Sequence, residues 1–414
     1  MTPPSGGVRC DLVIPVYDAL RSTRACLASV RRFAPPWARV VVVNDASGPE
    51  TTAFLRAQPG ILLVENEQNL GFVKTANRGL LFSDAPWVCL LNSDTLLTEG
   101  ALERMVAGCE KDPAIGLATP LSNGAVNLSV KLPEGEDVFS FGRRVGRTSP
   151  ARYPDAVTVV GFCLLVRRDL IASLGVFDEV FGRGYCEETD LHYRARAAGR
   201  RCVVADDVWI HHRHGASFAD GSARTARNME ILMGRWRALH EREIREFDLR
   251  NDLGAVRDVG SYEWILPDDR PAEPHDVLVL VPPGPLAPEA AAALELANEL
   301  VLAGRRAGAV ALDGADPAQE MELWFRPYRR TSEALRAAPP AARAWIAGTR
   351  ETGALAVSLP VAAAPVDPAA FFRKTREAAS PPGEISSSGR ERGDRLARTP
   401  AGALRRRLRS LLPF

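Results

Sequence analysis

The 414-residue chain is 46% hydrophobic, enough apolar material for a sizeable core and for two folded units. Its 52 Lys and Arg stand against 51 Asp and Glu, and a net charge of +1 excludes a uniformly basic nucleic-acid binder. Seven cysteines, at positions 10, 26, 89, 109, 163, 186 and 202, are scattered through mostly apolar runs, and no apolar run reaches transmembrane length, so buried free thiols are expected rather than a disulfide framework or a membrane span. The opening MTPPSGGVR has no apolar signal region, which predicts a cytoplasmic protein.

The first 130 residues alternate between short apolar runs and helical patterns. Asp11–Val16 reads as a strand broken at Tyr17-Asp18, and a helix follows from Ser22 or Thr23 to Phe33, with Leu27, Val30 and Phe33 on one side. Val40–Val43 is a second strand closed by Asn44-Asp45-Ala46-Ser47-Gly48, ahead of a helix over Pro49–Ala57. Ile61–Val64 is a third strand, and Asn69-Leu70-Gly71-Phe72 opens a helix to about Leu81. Trp87–Leu91 is a fourth, fully buried strand that stops abruptly at Asn92-Ser93-Asp94, with another helix near Thr98. This alternation predicts an α/β fold with a mostly parallel sheet flanked by helices, its polar strand ends lining one edge. Ligands bind at that carboxyl edge in open α/β sheets.

The residues after the first strand, Pro15, Val16, Tyr17 and Asp18, lack the glycines of a dinucleotide fingerprint, and no Gly-Lys-Ser or Gly-Lys-Thr phosphate loop occurs. Instead the chain resembles the family 2 glycosyltransferases of GT-A fold, particularly a rhamnosyltransferase-like branch. The residues that carry the resemblance are Ile14-Pro15-Val16-Tyr17, Val42–Ser47, Asn69–Phe72 with Asn77, and Leu91–Asp94. Gly161-Phe162-Cys163, Gly184–Leu191 and the stretch HRHGASF from His212 to Phe218 complete the series. They fall in the family's order across about residues 9–225.

That resemblance implies a nucleoside diphosphate sugar donor and a glycan or lipid-linked acceptor. Asp45 is by residue type a turn or helix N-cap; the resemblance assigns it, with the Pro15–Tyr17 loop, to the nucleotide. Asn69 starts a helix or joins that site, and Lys74 and Asn77, one helical turn apart, face the nucleotide or solvent. Asn92 and Ser93 belong to the nucleotide-sugar side. Asp94 is the implied metal ligand, for Mn2+ or Mg2+, and the usual first acid of the motif is replaced by Asn92, so the diphosphate must supply further oxygens. His212 is the implied second protein ligand, with His211 and His214 as alternatives; a zinc site has no Cys-x-x-Cys or His-Glu-x-x-His to support it. In the acidic pair Glu187-Glu188 the second member takes the place of the family's catalytic base, where Asp is usual, and two adjacent carboxyls can raise one pKa toward the working pH. Asp190 is expected to cap a helix over Leu191–Ala198. The Ser122–Pro154 stretch is expected as a mobile loop that receives the acceptor. Two other readings are a degenerate transferase fold kept as a glycan-binding or assembly module and, more weakly, a nucleotidyltransferase.

Residues 1–267 are expected to form the transferase domain, trailed by a helix over Ala226–Phe247 whose apolar stripe packs on the body or supports a homodimer. Asp268–Pro274 reads as a linker. Val277–Val281, a helix with Leu296, Ala297, Leu300 and Val301 ending at Gly304, and Ala309–Leu312 predict a small α/β accessory domain over about 275–365, faintly similar to the start of a GT-B half. Residues 378–414 read as a Ser/Pro-rich tether and a basic tail. From Arg390 to Phe414 eight Arg face two acids, a net of +6, and Leu404, Leu408, Leu411 and Leu412 share one helical face. Such a tail is either a solvated charged segment or a peripheral anchor on an anionic membrane surface at the inner face of the membrane. The body offers no basic stripe or aromatic platform for nucleic acid.

Overall fold

A computed structural model describes residues 7–125, 128–213, 221–250, 275–281, 286, 288–312, 315–330, 342–348 and 355–358. The basic tail and His214 lie outside the described residues. The chain divides into two compact units, one of residues 1–131 and 142–267, the other of residues 132–141 and 268–414.

The first unit opens with β1 (Cys10–Val16), α1 (Leu20–Phe33), β2 (Ala38–Asn44), α2 (Pro49–Arg56), β3 (Ile61–Glu65), α3 (Phe72–Phe82) and β4 (Trp87–Leu91). It continues with β5 (Thr95–Leu96), α4 (Ala101–Glu110), β6 (Ile115–Ser122), α5 (Val138–Thr148, of which residues 142–148 belong to this unit), β7 (Cys163–Arg167), α6 (Arg168–Leu174), α7 (Glu187–Ala197), β8 (Arg201–His212) and α8 (Gly221–Arg250). Its eight-stranded sheet runs β3-β2-β1-β4-β7-β6-β8-β5. The pairings among β1, β2, β3 and β4 are parallel, as is β6 with β8, whereas β7 runs antiparallel to both β4 and β6, and β5 to β8.

Strand position explains the residue patterns. β1 lies between two strands and is buried at all seven residues, while β3 at the sheet edge is buried at none. Pro15 is tolerated near the end of a central strand because β1 stops pairing with β4 at Val13. One core gathers Val13, Val41, Val43, Leu90, Leu164 and Val166 from the sheet with Val73, Ala76 and Leu80 of α3 and Leu191 and Ala195 of α7. The apolar stripe of α8, with Leu232, Ile231, Trp236 and Leu239, packs on Phe181, Cys186 and Tyr193; it is a packing face of this unit. All seven cysteines are buried free thiols.

The second unit holds β9 (His275–Val281), α9 (Pro288–Leu302), β10 (Ala307–Leu312), β11 (Tyr328–Arg330), β12 (Ala342–Gly348) and β13 (Leu355–Ser358), in sheet order β11-β10-β9-β12-β13. Only β12 with β13 is antiparallel. Ala293, Leu294, Ala297 and Val301 of α9 are fully buried. Residues 132–141 join this unit through backbone bonds from Gly135 to Arg326 at 2.7 Å and from Val138 to Trp324 at 3.0 Å. The expectation of a single loop over Ser122–Pro154 is therefore corrected. The stretch contains α5, and part of it belongs to the second unit, because backbone pairing with Trp324 and Arg326 captures it. No helix among the described residues is long and apolar enough to cross a membrane.

Candidate active site

The parallel strands β1, β2, β3 and β4 bring Tyr17, Asp45, Asn66 and Asn92-Ser93-Asp94 to one sheet edge. Asp45 is buried, and its carboxylate accepts from Asn66 Nδ2 at 2.7 Å and from the backbone N–H groups of Leu70 at 2.8 Å and Gly71 at 2.9 Å. It thus holds the loop that starts α3, as well as facing the edge. Gly71 has φ +81, and a Cβ there would meet Arg183 at 2.9 Å, so only glycine suits the position. That contact sets the Asn69–Gly71 loop against the segment leading to the acidic pair.

The proposed nucleotide residues divide by environment. Tyr17 is 53% exposed, whereas Pro15 is buried within β1. Lys74 is exposed and lies 3.5 Å from Glu179. Asn77 is buried and donates to the Phe177 carbonyl at 2.8 Å while accepting from its N–H at 2.9 Å, so it ties α3 to the chain after α6 rather than facing a nucleotide or solvent. Asn69 Oδ1 and Asn92 Oδ1 are buried atoms with no hydrogen-bond partner among the described residues. Such atoms are costly unless something pairs with them, and a bound ligand can. Ser93 is half-buried beside them.

β5 pairs with the end of β8, aligning Thr95 with His212. This brings His212 Nε2 to 3.4 Å from Asp94 Oδ1. Neighbouring strand residues point to opposite faces, so His212 rather than His211 reaches Asp94. Asn123 fixes the position by accepting from the His212 N–H at 2.7 Å and donating to its carbonyl at 2.8 Å. Phe162 stacks on the His212 ring with centroids 5.0 Å apart and planes at 16°. Arg213 donates its N–H to the Asp94 carbonyl at 3.0 Å and its guanidinium to Ser22 Oγ at 3.0 Å. Nothing in the sequence pattern marked Asn123, which belongs to no motif and acts on chain almost ninety residues away; Arg213 lies inside the HRHGASF stretch, but its bonds to Asp94 and Ser22 depend on distant chain.

Phe162 also leads to the acidic pair. A Cβ on the adjacent Gly161 would lie 3.7 Å from the Glu188 side chain. Glu187 and Glu188 occupy the first turn of α7, Glu187 buried at 4% exposure and Glu188 half-buried. Burial, followed by the charge of Glu188, pushes Glu187 well above the carboxylate range. Burial also raises Glu188, against the lowering effect of backbone N–H groups at Glu188, Thr189 and Gly161. One oxygen of each carboxyl has no partner among the described residues. A half-buried carboxyl with a raised pKa and a free oxygen can take a proton from a neighbouring hydroxyl. Asp94, His212, Phe162, Gly161 and Glu188 therefore form one continuous surface of contacts.

Asp190 does not cap α7, which begins three residues earlier, at Glu187. Its carboxylate is buried and binds Arg194 Nε at 2.8 Å, Trp236 Nε1 at 2.9 Å and Arg235 at 3.2 Å. It joins α7 to α8, and the expected cap is corrected on that ground. The helix start escaped the sequence because the N-cap is Cys186, at φ 74 and without a side-chain capping bond.

Residues 11–175 match glycosyl transferase family 2. The chain is 25% identical to an O-antigen biosynthesis protein of Myxococcus xanthus, over 53% of this chain and 18% of that protein, so it spans a small part of that relative's length. It is also 25% identical to an N-acetylglucosaminyl-diphospho-decaprenol L-rhamnosyltransferase of Mycobacterium tuberculosis, over 44% of this chain and 69% of the relative. Among solved structures, GalNAc-T7 with UDP, GalNAc and Mn2+ is similar with a TM-score of 0.46 and 15% identity, over 57% of this chain and 50% of that one. The segment that matches glycosyl transferase family 2 thus runs from β1 through α6 and contains the β1–β4 edge of the mixed sheet of eight strands.

Proposed function

We propose that the protein is a metal-assisted, inverting glycosyltransferase that moves a hexosyl or deoxyhexosyl group from a nucleoside diphosphate sugar to a hydroxyl of a glycan or lipid-linked acceptor. The observation that carries this reading is the unbroken contact path from the Asp94–His212 pair through Phe162 and Gly161 to Glu188. In the proposed reaction Glu188 takes the proton of the acceptor hydroxyl as its oxygen attacks the anomeric carbon. The bond to the nucleoside diphosphate breaks on the opposite face, so configuration inverts without a covalent enzyme intermediate. Burial raises the Glu188 carboxyl, the direction a base working near neutral pH needs, and the adjacent Glu187 is raised by its own burial and then by the Glu188 charge.

Asp94 and His212 suit a divalent cation. Two ligands at right angles on bonds of about 2.1 Å stand about 3 Å apart, and these atoms are 3.4 Å apart. No group of three candidate ligands occurs among the described residues, so donor oxygens would complete the coordination. Such a cation, Mn2+ or Mg2+, would act as a Lewis acid that neutralises charge on the departing diphosphate. Asn69, Asn92 and Ser93, with Asp45 and Tyr17, are the proposed contacts to the nucleotide sugar, and Lys74 is a peripheral one. The mycobacterial relative and the motif resemblance favour an L-rhamnosyl donor.

Glu188→Gln tests the chemistry. Turnover should fall by about 10²–10⁴-fold while donor binding persists, and full activity would remove Glu188 from the mechanism. A thermal-shift panel of nucleotide sugars with and without Mn2+ tests the donor site. The donor that stabilises the wild-type protein with Mn2+ should lose that metal-dependent shift in Asp94→Asn; an unchanged shift would displace the metal site from Asp94.

A further inference from the structure

The turn that presents the acidic pair has an unfavourable backbone. Gly184, Tyr185 and Cys186 take successive φ values of 120°, 76° and 74°, a region that L side chains rarely enter. Sparsely populated conformations of this kind persist only where the surroundings over-determine them. No side chain caps α7 at Cys186. The compensation comes from α8. Asn228 is fully buried, and its Nδ2 donates to the carbonyls of Phe181 at 2.9 Å, Gly184 at 3.0 Å and Tyr185 at 3.0 Å. Its Oδ1 accepts from Arg227 at 3.0 Å, which fixes the orientation of the amide.

We infer that Asn228 is a positioning residue for the transferase reaction: by drawing three carbonyls to one amide nitrogen it holds the left-handed turn that aims Glu187 and Glu188. The inference rests on the proposed role of Glu188 as base. It places a requirement of the site on α8, well beyond the segment that matches the family. A role limited to docking α8 is disfavoured, because α8 is tied down independently. Trp236 and Arg235 bind Asp190, His240 Nδ1 lies 2.6 Å from Tyr193 Oη, and Glu243 accepts from Arg196 at 3.1 Å. Losing the Asn228 amide should therefore free the turn and leave the helix in place.

The test compares the full-length wild-type chain, Asn228→Ala, and Asn228→Ala with Cys186→Gly, since glycine adopts the left-handed conformation at no steric cost. Amide hydrogen exchange is read over 181–190 and, separately, over the rest of α7 and over α8. Exchange should rise over 181–190 alone in Asn228→Ala and return toward the wild-type level with Cys186→Gly. With the donor turned over by the wild-type enzyme, kcat should fall about 100-fold, the size of loss that a misplacement of about 1 Å can cause. The donor KM should stay unchanged, and the added glycine should recover most of the loss. Unchanged exchange over 181–190, or exchange rising along both helices, overturns the inference. If Asn228→Ala is insoluble, the double variant replaces it, and its failure to fold also overturns the inference. Full activity of Glu188→Gln alongside the expected exchange pattern would instead sink the base assignment and leave the clamp standing.

Discussion

The two ends of the β1–β4 sheet treat polar groups in opposite ways. At the amino ends, Asp11 is buried and every demand on it is met. Arg39 grips it with two bonds of 2.6 and 2.7 Å, Ser83 Oγ donates to it, and the Ala85 N–H reaches it at 3.3 Å. Burial, the largest single effect, would raise its pKa, but the Arg39 fork and charge, the Ser83 hydroxyl and the Ala85 N–H together outweigh it and hold Asp11 below the ordinary range. At the carboxyl ends, and on the turn beside them, buried oxygens of Asn69, Asn92, Glu187 and Glu188 have no partner among the described residues, and both glutamates are raised. A fold that satisfies a buried charge at one end can do so at the other. The contrast locates the site by what is left unpaired as well as by its motifs.

Conservative substitutions at the two ends should therefore act with opposite sign. Glu188→Gln should lower kcat by about 10²–10⁴-fold, the usual range for a positioned base, and yet raise Tm. The sign follows from linkage. The pair binds protons more tightly folded than unfolded, so its cost to stability grows as pH rises from the ordinary carboxyl range through the folded pKa values. The Tm gain should shrink on acidification. A variant that loses both activity and stability at neutral pH would break the contrast.

Asp11→Asn should do the reverse, leaving kcat nearly unchanged and costing about 3 kcal/mol, the low end for breaking a buried pair, since the Arg39 side chain is 29% exposed. The folded pKa of Asp11 is depressed, so its contribution is present above the unfolded pKa and lost as pH falls through the folded one. Urea unfolding of both chains at neutral and acid pH measures this. A loss of stability that persists undiminished in acid would assign it to packing instead.

The comparison also explains what could be read in advance. The strand ends Asp45 and Asn92–Asp94 were legible because each is a polar cluster that interrupts an apolar run, a local signal, whereas the pair Glu187-Glu188 was singled out by acids ahead of a helical pattern and by the motif resemblance. His212 needed the pairing of β5 with β8 to be separated from His211, a choice that strand alternation makes only once the register is known. Asp190 and Asn77 were misread because acids near helix starts usually cap them and amides on helix faces usually meet solvent. Here each is buried in a tie to distant chain. The left-handed start of α7 has neither Ser, Thr, Asp nor Asn at its N-cap, so no capping signature announced it. Capture of residues 132–141 by the second unit depends on pairing with chain almost two hundred residues later, which periodicity does not report.

A third buried group belongs to neither end and separates orphaned polarity from function. His192 on α7 is completely buried, and neither ring nitrogen has a partner among the described residues. Burial, assisted by the Arg196 charge, takes its pKa down to about 3. The folded protein keeps this imidazole neutral, while the unfolded chain protonates it below about pH 6.5. Stability should therefore fall as pH drops through that value, by about 1.4 kcal/mol per unit from this residue alone until the folded pKa is reached. His192→Leu removes the titration. Its unfolding free energy, measured against wild type at about pH 7, 6 and 5, should gain steadily on the parent with acidification while turnover at neutral pH is retained. Parallel pH profiles for the two chains would mean that the imidazole is solvated in the native state. A collapse of turnover at unchanged stability would put His192 in the transferase site, and unpaired polar atoms would then mark function throughout this unit rather than only at the carboxyl edge.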